Sequence, residues 1–89
     1  MLDLKDLRCF VAVYQARGFA RAADMLGTVQ SNVSVRVLRL ERFIGAQLFE
    51  RRHRAIQPTH KGDLLYAHAL RVLGELEELE ANFKQRQAG

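Results

Sequence analysis

A mainly α-helical domain, with one short β-hairpin and a long C-terminal helix, is what this sequence predicts. Apolar residues recur at helical spacing through most of the chain, and strand-like alternation is scarce. Gly18, Gly27 and Gly45 divide the first half into three helical segments. The single proline, Pro58, precedes an unbroken helical pattern that runs from His60 to about Arg86. With 89 residues, 48% hydrophobic and 27% charged, the chain fits one small globular domain. A domain of this size buries a limited fraction of its surface, so oligomerisation is a natural source of added stability.

The first helix is expected over Leu4–Ala16. Leu4, Leu7, Val11 and Tyr14 form its stripe, widened by Phe10. Asp3 suits the N-cap, Asp6 favours the first turn, and Gly18 ends the pattern near the position where a left-handed residue is useful. Cys9 reads as a small buried hydrophobe. The second helix is expected over Phe19–Leu26, with Phe19, Ala22, Ala23 and Leu26 on one face and Arg21 off it. Its two alanines let another helix approach closely. Gly27 breaks it, and the third helix begins within a few residues, the pattern of a helix-turn-helix.

The third helix, from Gln30 to near Gly45, has two unlike sides. Val33, Val37, Leu40 and Ile44 make one apolar stripe. Off it lie Gln30, Ser31, Asn32 and Ser34 towards the N-terminal end, followed by Arg36, Arg39 and Arg42. A helix docked by its stripe, with short polar groups at its tip and arginines along its flank, suits the DNA major groove. Gln and Asn pair with adenine edges, and Arg reaches guanine or phosphate.

The stretch QLFERRHRAIQPT then predicts two short strands. Leu48 and Phe49 anchor them, Ile56 lies opposite, and Arg51, Arg52, His53 and Arg54 crowd the tip. Such a basic wing can lay arginines against phosphate or into a minor groove; the alternative is a solvated arginine loop. Thr59 is a natural N-cap for the last helix. Along that helix Leu65, Ala69, Val72, Leu76, Leu79 and Phe83 keep a heptad spacing, and Leu64, Ala67, Leu70 and Leu73 make a second row. One row can pack on the domain while the other meets a second copy, which predicts a homodimer. The expected organisation is a DNA-binding unit over 1–58, a linker and dimerisation helix over 59–86, and a polar tail at 87–89.

Charge follows the same division. The formal net charge is +4 and the pI about 9.8. The basic residues concentrate between Val33 and Lys61, whereas Glu75, Glu77, Glu78 and Glu80 dominate the distal helix. One surface is expected to face a polyanion and another to face away. A single cysteine gives no disulfide framework within the chain, and neither a membrane-spanning run nor a signal-peptide pattern is seen, so a cytoplasmic location is expected. No glycine-rich phosphate loop, metal-ligand set or nucleophile with His/Asp partners is apparent: His53, His60 and His68 lack companions, and Ser31 and Ser34 lack a base. No cofactor, metal or enzymatic activity is expected.

From about Leu4 to Leu79 the chain resembles the N-terminal DNA-binding domain of LysR-type bacterial transcriptional regulators. LRCFVAV, FARAADMLG, QSNVSVRVLRLERFIGAQLFER and PTHKG carry the resemblance. It implies a winged helix-turn-helix (a three-helix core plus a hairpin wing) and a linker helix that dimerises the domain. It also implies a recognition helix in the major groove and a wing in the minor groove of an interrupted palindromic operator. By position it implies base contact by Gln30, with Ser31 and Asn32 beside it, and backbone or groove contact by Arg21, Ser34, Arg51, Arg54 and Thr59; the row of Arg36 and Arg39 and the added Arg52 are expected to join them. The seam from Leu65 to Phe83 is the expected dimer interface. Three positions depart from the family pattern. Val29 stands where Ser or Thr often caps the third helix, with Thr28 one earlier, so that cap is expected to shift or weaken. Gly18, Phe19 and Ala20 replace a Ser-led start of the second helix. Val35 stands where Arg is frequent. Family members usually continue into an effector-binding domain of two α/β lobes. The chain stops at Gly89 and resembles either the DNA-binding part alone or a naturally short form. A small-molecule effector would act only through that absent domain. The competing reading from another class is a helical protein-interaction module that binds no DNA, for which a neutral or acidic recognition face would be the mark.

Overall fold

The computed structural model describes residues 1–53 and 55–88, with side chains through Lys84. The chain forms α1 (Leu4–Ala16), α2 (Phe19–Leu26), α3 (Gln30–Ile44), β1 (Phe49–Arg52), β2 (Ala55–Pro58) and α4 (His60–Ala88). The last helix runs two residues past its expected end, into the segment read as a polar tail; Gly89 lies outside the described residues.

Helix α1 is the centre of the domain, with α2, α3 and α4 packed around it. That is why it buries more than one stripe. Leu7, Phe10 and Val13 form its deepest row, Cys9 and Ala12 flank it, and Leu4, expected in the stripe, stays 38% exposed. Ala22 and Ala23 of α2 and Val33, Val37 and Leu40 of α3 complete the three-helix core, sealed below by Leu48 and Phe49. Phe49 stacks at a tilt on Phe10, their ring centres 5.4 Å apart, so the wing's first strand grows directly out of the core.

Asp3 caps α1 as expected, its carboxylate accepting from the Lys5 N–H at 2.7 Å. The other end differs from expectation. Arg17, at φ 56°, takes the left-handed position and closes the helix onto the Val13 carbonyl at 2.8 Å. Gly18 is extended and begins α2. The Arg17 guanidinium lies 5.0 Å from the centre of the Tyr14 ring, a cation–π contact that offsets the steric cost of the conformation. At the next turn glycine is required: Gly27 ends α2 at φ 68°, and its tight reversal lets α3 start at Gln30.

The wing is an antiparallel hairpin in which Phe49 faces Pro58, Glu50 faces Gln57, Arg51 faces Ile56 and Arg52 faces Ala55. His53 follows at φ 51°, at the tip. Thr59 then ties the hairpin to α4. Its N–H donates to the Leu48 carbonyl, its hydroxyl donates to the Gln47 carbonyl at 2.7 Å and accepts from the Gly62 N–H at 3.1 Å. Gly62 sits so close to Leu48 that a Cβ there would strike the Leu48 carbonyl oxygen.

Helix α4 lies on α1 through a small, specific contact. The Tyr14 and Tyr66 rings stack with centres 3.7 Å apart and planes 7° from parallel. The Tyr14 hydroxyl donates to Asp63 Oδ1 at 2.7 Å, and Gln15 Nε2 donates to the Tyr66 hydroxyl at 3.1 Å. Beyond this clasp Ala69 is 1% exposed and Leu73 9%. The expected split into one inward and one outward row therefore needs correction. Leu65 and Ala69, assigned to the dimer seam, and Leu73, from the second row, all face the chain's own core. At about 100° per residue, Gly62, Tyr66, Ala69 and Leu73 fall on the face that meets the domain, while Val72, Leu79 and Phe83 lie roughly 80° around the helix from it. Past the body of the domain the seam emerges: Leu76 is half-buried, and Val72, Leu79 and Phe83 are exposed.

Candidate nucleic-acid interface

The tip of α3 is set by what is buried behind it. Val33, Val37 and Leu40 are almost fully enclosed, which fixes the rotation of the helix and turns Gln30, Ser31 and Asn32 outward. Val29 occupies the N-cap with no side-chain bond to the helix, so the cap does not shift to Thr28 and is weaker than a Ser or Thr cap. Thr28 serves a different purpose: its Oγ1 accepts from Asn32 Nδ2 at 3.1 Å, which orients the asparagine. Helix α2 also starts without a side-chain cap, at Gly18. Both helices thus present a first turn whose positive dipole end is unneutralised by their own side chains.

The expected contact residues fall into three groups. Gln30, Arg21 and Arg51 share one concavity, with Phe19 and Ile56 in its wall. Arg51 is held over the Phe19 ring at 5.2 Å, which aims the wing's first arginine towards the start of α2. Ser34, half-buried, lies with Arg51 and Arg52 along the groove between α3 and the wing. Arg52 forms an exposed pair with Glu50 at 3.5 Å, and Arg54 lies outside the described residues.

The third group turns inward. Arg36 Nη1 meets Asp6 Oδ1 at 3.0 Å, with side chains 22% and 6% exposed, and Arg39 Nε approaches Asp6 Oδ2 at 3.5 Å. Arg36 is therefore engaged with α1. Arg39, more than half exposed, keeps a solvent-facing head. Thr59 likewise spends its hydroxyl on the Gln47 carbonyl and the Gly62 N–H.

Two residues that shape the site had no local signal of their role. Asp6 read only as a favourable first-turn charge. Glu41, an acid between Arg39 and Arg42, accepts from the Leu48 N–H at 2.7 Å through its Oε2 and fixes the chain as it leaves α3 for the wing. Cys9 is 5% exposed, and burial pushes its thiol up, with Arg36 opposing and Asp6 and Asp3 adding to the rise. Among the described residues, no group of three or more His, Cys, Asp or Glu side chains is placed to hold a metal ion, and no helix is long and apolar enough to cross a membrane.

A three-helix core with a hairpin wing, a polar-tipped third helix and a long fourth helix is a winged helix-turn-helix domain. Residues 4–63 match the bacterial regulatory helix-turn-helix proteins of the lysR family, and the chain belongs to that family. It is 39% identical over 80 residues to the probable cat1 operon transcriptional activator of Acinetobacter lwoffii, covering 90% of this chain and 26% of that protein. The structure is similar to the BenM DNA-binding domain in complex with catB site 1 DNA, with a TM-score of 0.91, 33% identity and 98% coverage of both chains. It is also similar to the CbnR DNA-binding domain in its DNA complex, with a TM-score of 0.83, 31% identity and coverage of 98% and 99%. The chain spans about a quarter of the length of the curated relatives it matches.

Proposed function

We propose that this chain is a sequence-specific double-stranded-DNA-binding domain of a bacterial transcriptional regulator, acting in the cytoplasm as a homodimer. The observation that carries the reading is the outward-facing Gln30, Ser31 and Asn32 on a helix locked by its buried stripe, with Arg21 and Arg51 sharing the concavity beside Gln30. The likeness to DNA-bound BenM and CbnR domains supports it. In this reading α3 enters the major groove, Gln30 and its neighbours read base edges, and the wing follows the adjacent minor groove. Arg21, Arg39, Arg51, Arg52 and Arg54 supply the salt-dependent affinity for phosphate, and Ser34 adds an uncharged hydrogen bond to the backbone. Arg36 and Thr59 hold the fold instead.

The dimer is built through the distal face of α4, by Val72, Leu76, Leu79 and Phe83, while Leu65 and Ala69 anchor the helix to its own domain. Two recognition helices would then meet successive major grooves about 34 Å apart on an interrupted palindrome. A small-molecule effector would act through the part of the relatives' length that this chain does not span.

Selection from random duplex DNA at two salt concentrations tests the reading. Enrichment of an interrupted palindrome supports a dimeric sequence reader. Salt-sensitive binding without an enriched sequence overturns the sequence-specific part. Absence of binding at both salts overturns the whole and favours a helical protein-interaction module.

A further inference from the structure

Helix α3 carries an apolar residue where its polar face should be continuous. Val35 is 55% exposed and belongs neither to the buried core nor to the half-buried shell around it. It stands four residues after Ser31, so the two share a face, with Val35 about 6 Å further along the axis. That face is opposite the buried Val33, Val37 and Leu40 stripe. Polar and cationic groups adjoin it, Ser31 and Asn32 one turn back and Arg39 and Arg42 one and two turns on; Leu38, 46% exposed, is its one apolar neighbour a turn away and lines the groove beside the wing. Valine is also a poor choice for an exposed helical position on propensity alone, because its β-branch restricts the side chain. The same stiffness means little rotamer freedom is lost when it makes a contact.

Val35 with Leu38 at its edge is still too small a patch for an apolar protein partner. It does match the one apolar group that base edges offer in the major groove, the 5-methyl of thymine. We propose that Val35 is a specificity-determining residue that reads a thymine methyl in each half-site. The inference rests on the DNA-reading function proposed above and adds a second mode of discrimination to it. Gln30 distinguishes bases by hydrogen bonds, and Val35 distinguishes thymine from cytosine, and from uracil, by shape and apolar contact.

The test uses deoxyuridine, which pairs as thymine does and lacks only the methyl. With the half-site selected by the 89-residue chain, each thymine of one half-site is replaced in turn by deoxyuridine, and affinity is measured for the wild type, Val35→Ala and Met25→Ala. Met25 is a matched control, 58% exposed on α2 beside Arg8 and Gln15 of α1. At one thymine, the wild type and Met25→Ala are expected to lose about fourfold, the worth of one buried methyl-sized group. Val35→Ala should bind the thymine and deoxyuridine duplexes equally there. Because Val35 is exposed and alanine is the better helix former, the variant should melt no lower than the wild type, which the same preparation checks. A half-site with no thymine whose methyl effect depends on residue 35 overturns the inference and leaves the DNA-reading function standing. Failure of the wild type to select any sequence overturns both.

Discussion

Asp6 of α1 holds Arg36 of α3 at 3.0 Å, across thirty residues of sequence. The carboxylate is almost wholly buried, and it also draws in Arg39. One acid thus turns part of an arginine row away from solvent and fastens the recognition helix to the centre of the core. Asp6→Ala would leave Arg36 partly buried without a counter-charge. A loss of about 3 kcal/mol is expected, read by urea denaturation. The double variant Asp6→Leu with Arg36→Met should recover most of it. A loss within experimental error for Asp6→Ala would show the pair to be dispensable.

The same pair divides the arginines by role. Arg36→Met should weaken folding while leaving the salt dependence of DNA affinity unchanged. Arg51→Ala should reduce the slope of log K against log salt by about one, similarly on operator and random duplexes. Gln30→Ala should instead narrow the gap between those two duplexes. Equal losses on both duplexes for Gln30→Ala would remove it from base readout.

Gly62 is expected to tolerate no side chain. Gly62→Ala drives a methyl into the Leu48 carbonyl and loosens the junction of wing and α4. Thr59→Ala removes the cap that Gly62 N–H uses, at a cost of about 1 kcal/mol. Thermal melts should rank Gly62→Ala as the more damaging change, because a backbone atom must move to admit it. Indistinguishable melts would contradict the close approach.

Tyr14 gives a pH prediction. Its hydrogen bond to Asp63, with lesser help from desolvation, raises its pKa above the ordinary value of 10.0. The fold thus favours the neutral phenol. The contribution is fully present below the ordinary value and is lost as pH rises through the raised one. In a Tyr66→Phe background Tyr14 is the only tyrosine, and its ionisation can be followed by ultraviolet absorbance. Adding Asp63→Ala should shift that titration downward; an unmoved titration would break the assignment.

The sequence made the helices legible because each carries a local mark: Val33, Val37 and Leu40 at helical spacing, Asp3 at a cap, Gly27 at a reversal. The wing was legible from Leu48, Phe49 and Ile56 bracketing polar residues. What stayed hidden depends on partners far along the chain. Asp6 has no feature that names Arg36, and Glu41 none that names the Leu48 N–H seven residues on. Arg17 could take the left-handed turn in place of Gly18 because the Tyr14 ring was there to receive its charge. On α4, spacing alone could not say which apolar residues the domain would claim. Ala69 and Leu73 were claimed because they fall on the line that continues from Tyr66.

The Tyr14–Tyr66 clasp has a mechanical consequence. From Leu76 to Ala88 the last helix continues about 18 Å past its docked portion. A tilt of about 5° at the stacked rings, roughly 33 Å from Ala88 along the helix, would carry its far end some 3 Å sideways, close to the rise of about 3.4 Å between successive base pairs. In the proposed dimer each domain hangs from such an arm. The stack then works as the setting of a ruler: it calibrates how many base pairs separate the two half-sites. An operator with one base pair added to its spacer measures the stiffness of that setting.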